Sequence, residues 1–338
     1  MKEHRGRPLT ERAGERATAH AVRLLRAGAL VAFPTETVYG LGADARNADA
    51  VHAIFEAKGR PADHPVIVHL ADASDIGAWC SAVPPLARKL AAAFWPGPLT
   101  LILPRAQGVH DILTGGQSSV GLRVPAHPAA QALLHAFGGG IAAPSANPFG
   151  RISPTTAGHV AEDLGDAVAL IIDGGPCKFG IESTIVAFDG ETPVLLRPGG
   201  ISVDALTAIL GRAPKAPDAR APRTSGTLTS HYAPRTPARL IDATTLRNSV
   251  ETSRFARMVV LARSVARPPG FSGTWINAPG DAMTYAQDLY AHLRTLDRAD
   301  ARLILIEAPP EEASWLAVRD RLERATHPGR ADPVDDID

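Results

Sequence analysis

Residues able to do chemistry crowd into one stretch, 33–70, which reads FPTETVYGLGADARNADAVHAIFEAKGRPADHPVIVHL. It holds a threonine-rich turn punctuated by glycine, a short helical pattern, a Lys58-Gly-Arg60-Pro exit and a strand-like run that carries His69. Hydroxyls, backbone amides, two fixed cations and an imidazole within one supersecondary unit suit a small polar molecule carrying phosphates or a carboxylate. The exit is expected to point both cations away from the core, Arg60 as a planar fork for phosphate and Lys58 as a point charge. A solvated helix end, with its cations near the C-terminal dipole, explains the same residues equally well. His69, at the end of an apolar run, reads by itself as a satisfied core histidine.

Other polar signals sit at the ends of later apolar runs. Arg123 lies in GLRVP, and a buried arginine needs an anion, either structural or brought by a substrate. The segment APSANP (143–148), followed by Arg151 and Ser153, is dense in hydroxyls and amides at a strand's C-terminal end, where open α/β sheets bind ligands. An ordinary capped turn has the same composition. Glu182-Ser183-Thr184 precedes IVAF, and Arg197 follows a pair of leucines. The common alternatives are missing: no G-x-x-x-x-G-K-[ST], no G-x-G-x-x-G after a strand, no H-E-x-x-H and no G-x-S-x-G.

These residues must be positioned by a repeating α/β framework. With 338 residues the chain is too long for one ordinary core, and two domains are expected. Residues 1–13 read as a polar lead-in. Residues 14–210 alternate helical and strand-like patterns, as one mixed α/β domain does; within them Ser153 is the expected N-cap of the helix that follows. Residues 211–237 hold five prolines, five Lys or Arg and a single acid, so they read as an extended linker. The His231-Tyr232 pair makes it more than a spacer, and a lid over the first domain is expected, its basic side chains drawn to a bound triphosphate. From 238 to 330 a small β/α domain of parallel character follows. Its amphipathic helix carries Ala282, Ala286, Leu289, Leu293 and Leu296 on one face. The acidic tail ADPVDDID is expected to be disordered.

Composition narrows the setting. Thirty-five basic residues balance thirty-five acidic ones, so no global field points to nucleic acid or an anionic membrane. Two cysteines, Cys80 and Cys177, are too few for a zinc cluster or a disulfide framework and read as free thiols of a reducing compartment. No apolar run approaches the roughly 20 residues of a membrane helix, and the N-terminus is not a secretory signal. A cytoplasmic protein with no membrane contact is expected.

Taken in order, the phrases FPTETVYGLG, KGRPADHPVIVH, WPGPLT, GLRVP, APSAN, ESTIV and LRPG resemble the YrdC-like domain. With SGTLTSHYAP and the AVRDRL helix near the end, the chain over about 14–325 resembles the two-domain threonylcarbamoyl-AMP synthase family. The resemblance implies a twisted, open, mixed α/β sheet domain followed by a small Rossmann-like β/α domain. It also implies a reaction: L-threonine, bicarbonate or CO2, and ATP give threonylcarbamoyl-adenylate and pyrophosphate, for modification of tRNA beside the anticodon. Thr37, His69, Arg123, Ala143 and Ser183 would hold threonine, with Arg123 facing its carboxylate. Lys58, Arg60, His64, Ser119, Ser145, Ser153, Arg197 and Tyr232 would line the ATP side, Lys58 and Arg60 carrying catalysis. Magnesium would arrive on the phosphates, with no metal site or tightly bound cofactor in the protein. The partners implied are a downstream tRNA threonylcarbamoyl transferase complex and a weak tRNA contact. Two departures stand out: His64 where the family often has Asn, and Ser225-Gly-Thr where Ser-Pro-Gly is frequent. A double-stranded RNA-binding module of the same fold is the alternative reading; balanced charge and the lack of aromatic stacking clusters weigh against it.

Overall fold

The structure, a computed structural model, describes residues 8–252 and 257–327. The acidic tail lies outside them. By contact the chain divides into two units: Met1–Phe149 with Ser153–Thr227, and Gly150–Ile152 with Leu228–Asp338.

The first unit contains, in chain order, β1 (Thr10–Arg12), α1 (Glu15–Arg26), β2 (Val31–Phe33), β3 (Gly40–Asp44), α2 (Ala48–Lys58), β4 (Ile67–His69), α3 (Pro85–Phe94), β5 (Leu99–Pro104), α4 (Asp111–Thr114), β6 (Ser119–Arg123), α5 (Pro128–Phe137), β7 (Ile141–Ala142), α6 (Ala157–Leu164), β8 (Leu170–Asp173), β9 (Thr184–Asp189), β10 (Thr192–Arg197) and α7 (Val203–Leu210). The strands form one mixed sheet ordered β1-β8-β2-β3-β7-β4-β6-β5-β9-β10. Strand β1 corrects the reading of residues 1–13 as a mere lead-in. Its side chains, Thr-Glu-Arg, show no apolar alternation, and it is held by backbone pairing with β8.

Side-chain alternation gives this sheet two different faces. Leu99, Leu101 and Leu103 of β5, Val120 and Leu122 of β6, and Val68 of β4 enter one large core with apolar residues of α2, α3, α6 and α7. One residue away along the same strands, Thr100, Gly121, Arg123, Ile67 and His69 belong to the opposite face. There Phe33, Ile141 and Ala143 are covered by α1 and α5, while Ile102, Ile185, Ala187 and Leu196 form a small cluster with Ala221 of the 211–227 stretch.

Local signals set the helix ends that matter for the site. Asn47 caps α2 by accepting from the amides of Asp49 and Ala50, and Gly59, in the left-handed region at φ 60°, ends it. The cap of α6 is Thr156, which accepts from His159 N, and not Ser153 as expected; the Ser153 hydroxyl is spent on Glu182 instead.

The second unit contains β11 (Ala238–Ile241), α8 (Ala243–Thr252), β12 (Met258–Ala262), β13 (Trp275–Asn277), α9 (Ala282–Asp297), β14 (Leu303–Glu307) and α10 (Leu316–Thr326). Its sheet is wholly parallel, ordered β11-β14-β12-β13. Helix α9 buries Ala286, Leu289, Leu293 and Leu296 as expected, together with Tyr285, Tyr290 and Arg294, while Ala282, expected on the same face, is only half-buried. At the end of β14 the Glu307 carboxylate accepts from the amides of Arg263, Ser264 and Val265 at 2.7–3.1 Å and from the Ser264 hydroxyl.

Both cysteines are free and buried. No described helix is long and apolar enough to cross a membrane.

Candidate functional site

Parallel pairing of β4 with β6 sets His69 directly opposite Arg123. Both are almost wholly buried, at 3% and 4% exposure. The Arg123 guanidinium donates from Nη2 to Glu36 at 2.6 Å and from Nε to the Gly97 carbonyl at 3.3 Å. Its Nη1 has no partner among the described residues, nor has Nδ1 of His69. Burial, and then the neighbouring charge of Arg123, lowers the His69 pKa to about 3, so its ring is neutral near pH 7. The rings of Phe33 and His69 meet in a T-shaped pair with centroids 6.0 Å apart. The other residues expected around threonine belong to the same unit. Ala143 holds the floor of the same face, its amide bonded to Ile67 O. Thr37 is fully buried in its turn, its hydroxyl 2.8 Å from that of Thr35. Ser183 Oγ lies 2.7 Å from Thr100 Oγ1 and 3.2 Å from Arg197 Nη2.

The expected nucleotide cations are placed differently from the sequence reading. Lys58 and Arg60 are not extended into solvent but buried, at 4% and 7% exposure. The left-handed turn at Gly59 folds the exit back on the unit. Lys58 Nζ donates to the carbonyls of Ser145, at 2.5 Å, and Asn147. Burial, followed by the charge of Arg60, holds its pKa well below the usual lysine range. Lys58 therefore pins the Ala-Pro-Ser-Ala-Asn loop. Arg60 is packed between the rings of Phe55 and Phe149, and Nη2 donates to Pro65 O at 2.6 Å and Ser225 Oγ at 3.1 Å.

Arg197 extends from the end of β10, donates to the Ser183 carbonyl and reaches Ser225 O at 2.7 Å. One linker residue thus engages both Arg60 and Arg197. The linker's basic side chains turn elsewhere. Arg212 donates to Glu191 O, Arg220 pairs with Asp218, and Arg223 reaches Gly115 O and Asp63. A narrow pocket behind this contact is lined by Ser119, Ile67, Gly121, Ile185 and Ser225. His64 is half-buried, its ring in a T-shaped pair with that of Phe149; burial and then Arg60 lower its pKa. Ser145 and Ser153 complete the set, the latter donating to Glu182 at 2.6 Å.

Tyr232 belongs to the second unit. There its ring stacks on Tyr290 at 5.7 Å, meets His231 edge-on at 4.2 Å and lies 5.2 Å from the Arg321 guanidinium. Its backbone is in the left-handed region at φ 62°, a strained place for a tyrosine. Among the described residues no group of three or more His, Cys, Asp or Glu could hold a metal ion.

Sequence reasoning missed Glu36 and Thr100, and noted Ser225 only as a departure from the family pattern. Glu36 had a readable signal, an acid inside a hydroxyl-rich turn. Thr100 had one too, a polar residue in an otherwise apolar strand pattern.

The comparisons agree in both units. A family model described as "Telomere recombination", of the Sua5, YciO and YrdC proteins, matches residues 23–199. One described as "Threonylcarbamoyl-AMP synthase, C-terminal domain" matches residues 201–326. The chain is 41% identical to the threonylcarbamoyl-AMP synthase of Bacillus subtilis over 91% of this chain and 92% of that protein. It is 39% identical to the one from Pyrococcus abyssi over 90% and 93%. The crystal structure of P. abyssi Sua5 complexed with L-threonine superposes with a TM-score of 0.86 at 37% identity, over 94% of this chain and 96% of that one. These findings favour the synthase over a bare RNA-binding module. With likeness of this extent running through both units, the chain belongs to the threonylcarbamoyl-AMP synthase family.

Proposed function

We propose that this chain condenses L-threonine, bicarbonate or CO2, and ATP into threonylcarbamoyl-AMP and pyrophosphate. The observation that carries the reading is the His69–Arg123 pair: two buried side chains, opposite one another, each with a nitrogen left without a protein partner. Unpartnered buried donors are costly, and an amino acid's carboxylate would satisfy the free guanidinium nitrogen. The Thr37 and Ser183 hydroxyls retain hydrogen-bonding capacity for the substrate's own hydroxyl and amine. On the nucleotide side Arg60 and Arg197 would take up the phosphates once Ser225 moves aside. His64, Ser119, Ser145 and Ser153 would line the rest, and Tyr232 is proposed as a further ATP contact. Attack of a carbamate on the α-phosphorus asks for placement and charge neutralisation more than for an acid–base pair. Magnesium would enter as part of the ATP substrate, with no dedicated protein cage.

The stretch 211–227 forms a wall at this side of the first unit in our reading, meeting the site through Ser225. The adenylate would pass to a tRNA threonylcarbamoyl transferase complex, with a weak tRNA contact of its own, in the cytoplasm. The decisive experiment measures pyrophosphate release by the purified full chain. Release is expected only when ATP, threonine and bicarbonate are all present, and release independent of threonine would overturn the reading.

A further inference from the structure

The ion pair behind the proposed threonine site has a consequence beyond holding the turn together. Glu36 is 5% exposed, and both of its oxygens are engaged: Oε1 accepts from Arg123 Nη2 at 2.6 Å, and Oε2 from the Ala126 amide at 2.9 Å. The Gly97 carbonyl takes Arg123 Nε at 3.3 Å. Two of the three guanidinium nitrogens are thereby fixed, and only Nη1 remains to meet a ligand. Arginine forks are specific because their planar geometry is held. Within this ion pair Glu36 neutralises the Arg123 charge, and His69 adds none near neutral pH; Arg197 adds a positive charge beside Ser183. Removing Glu36 would leave the Arg123 charge uncompensated, and a more positive pocket favours a simple carboxylate anion over a zwitterionic amino acid.

We propose that Glu36 is a positioning and specificity-determining residue: it aims Arg123 Nη1 at the substrate carboxylate and sets the pocket's charge balance to favour an amino acid over a simple carboxylate anion. The inference rests on the reading of this face as the threonine site.

Glu36→Gln keeps the shape and removes the charge, and Glu36→Asp keeps the charge on a shorter arm. Steady-state pyrophosphate release would be measured for the wild type and both variants, with threonine and ATP varied separately. A thermal melt of each variant accompanies the kinetics. E36Q should raise the threonine KM about tenfold or more, the loss expected for one charged hydrogen-bond partner. The ATP KM should stay within about twofold, and E36D should fall between. Inhibition by 2,3-dihydroxybutyrate, which carries a hydroxyl in place of the amine, should strengthen in E36Q relative to the affinity for threonine. A merely structural role would not produce that inversion.

A threonine KM in E36Q within about twofold of wild type would overturn the proposal, as would equal rises in both KM values with an unchanged preference for threonine over its hydroxy-acid analogue. Should E36Q fail to fold, E36D decides: a raised threonine KM with an unchanged ATP KM supports the proposal, and an unchanged threonine KM sinks it. A wild-type chain with no threonine-dependent release would instead sink the functional reading itself.

Discussion

The two faces of the first sheet are built by the same strands yet obey different rules. On one, Leu99, Leu101, Val120 and Leu122 are packed beneath helices in a continuous apolar core. On the other, single-residue neighbours of those leucines are Thr100, Gly121 and Arg123, where Nδ1 of His69 is buried without a hydrogen-bond partner and Nη1 of Arg123 also lacks one. A one-residue step along β6, from Leu122 to Arg123, exchanges a residue that stabilises the fold for one that costs stability unless a partner meets it. Burial alone cannot distinguish the two, since both residues are almost fully covered. Hydrogen-bond satisfaction can.

Substitutions in the core and in the candidate site should therefore fail in opposite ways. The largest expected effect is Leu122→Ala, which opens a cavity in the core and should cost about 2–5 kcal/mol of stability. Denaturant unfolding would measure that loss, and the threonine KM of the folded fraction should stay near wild type. Arg60→Ala should reverse the pattern: pyrophosphate release falls about 100- to 1,000-fold, as when one preorganised charge contact to a transition state is lost, while the fold persists by circular dichroism. A near-native rate in that variant would return Arg60 to a packing role between Phe55 and Phe149.

The smallest expected effect is a pH slope. Unfolded, His69 would take up a proton near pH 6.5, whereas the folded chain keeps it neutral down to about pH 3. Between those limits the unfolded state binds more protons, so stability falls on acidification. Urea midpoints at pH 7.5 and 5 should differ less in His69→Gln than in the wild type; identical differences would mean that another group sets the slope.

Much of this arrangement was legible in the sequence. The alternation of helical and strand-like patterns over residues 14–210 announced the mixed α/β domain, and the Lys58-Gly-Arg60-Pro exit marked the end of α2. The direction of the cations was not legible. Lys58-Gly-Arg60-Pro looks like a solvated helix end, and only the tertiary placement of the Ser145 and Asn147 carbonyls turns Lys58 inward. Strand β1 escaped because backbone pairing can hold a strand whose side chains show no alternation. Ser153 looked like a cap because its partner, Glu182, is 29 residues away. The sequence pointed to strand ends as the ligand position, and His69 and Arg123 are the last residues of β4 and β6; their apposition was not legible, because it depends on register between strands distant in sequence.

The state of the two cysteines bears on how linker motion could be watched. Burial raises the thiol pKa of Cys80, and raises that of Cys177 far more strongly. The reactive thiolate is therefore scarce at both sites, and both are shielded from reagents. To a maleimide dye the native chain is close to a cysteine-free background. A single cysteine placed at exposed Arg220 would be the fast-reacting thiol, so a fluorophore could report on the linker in solution without stripping either native sulfur from the core.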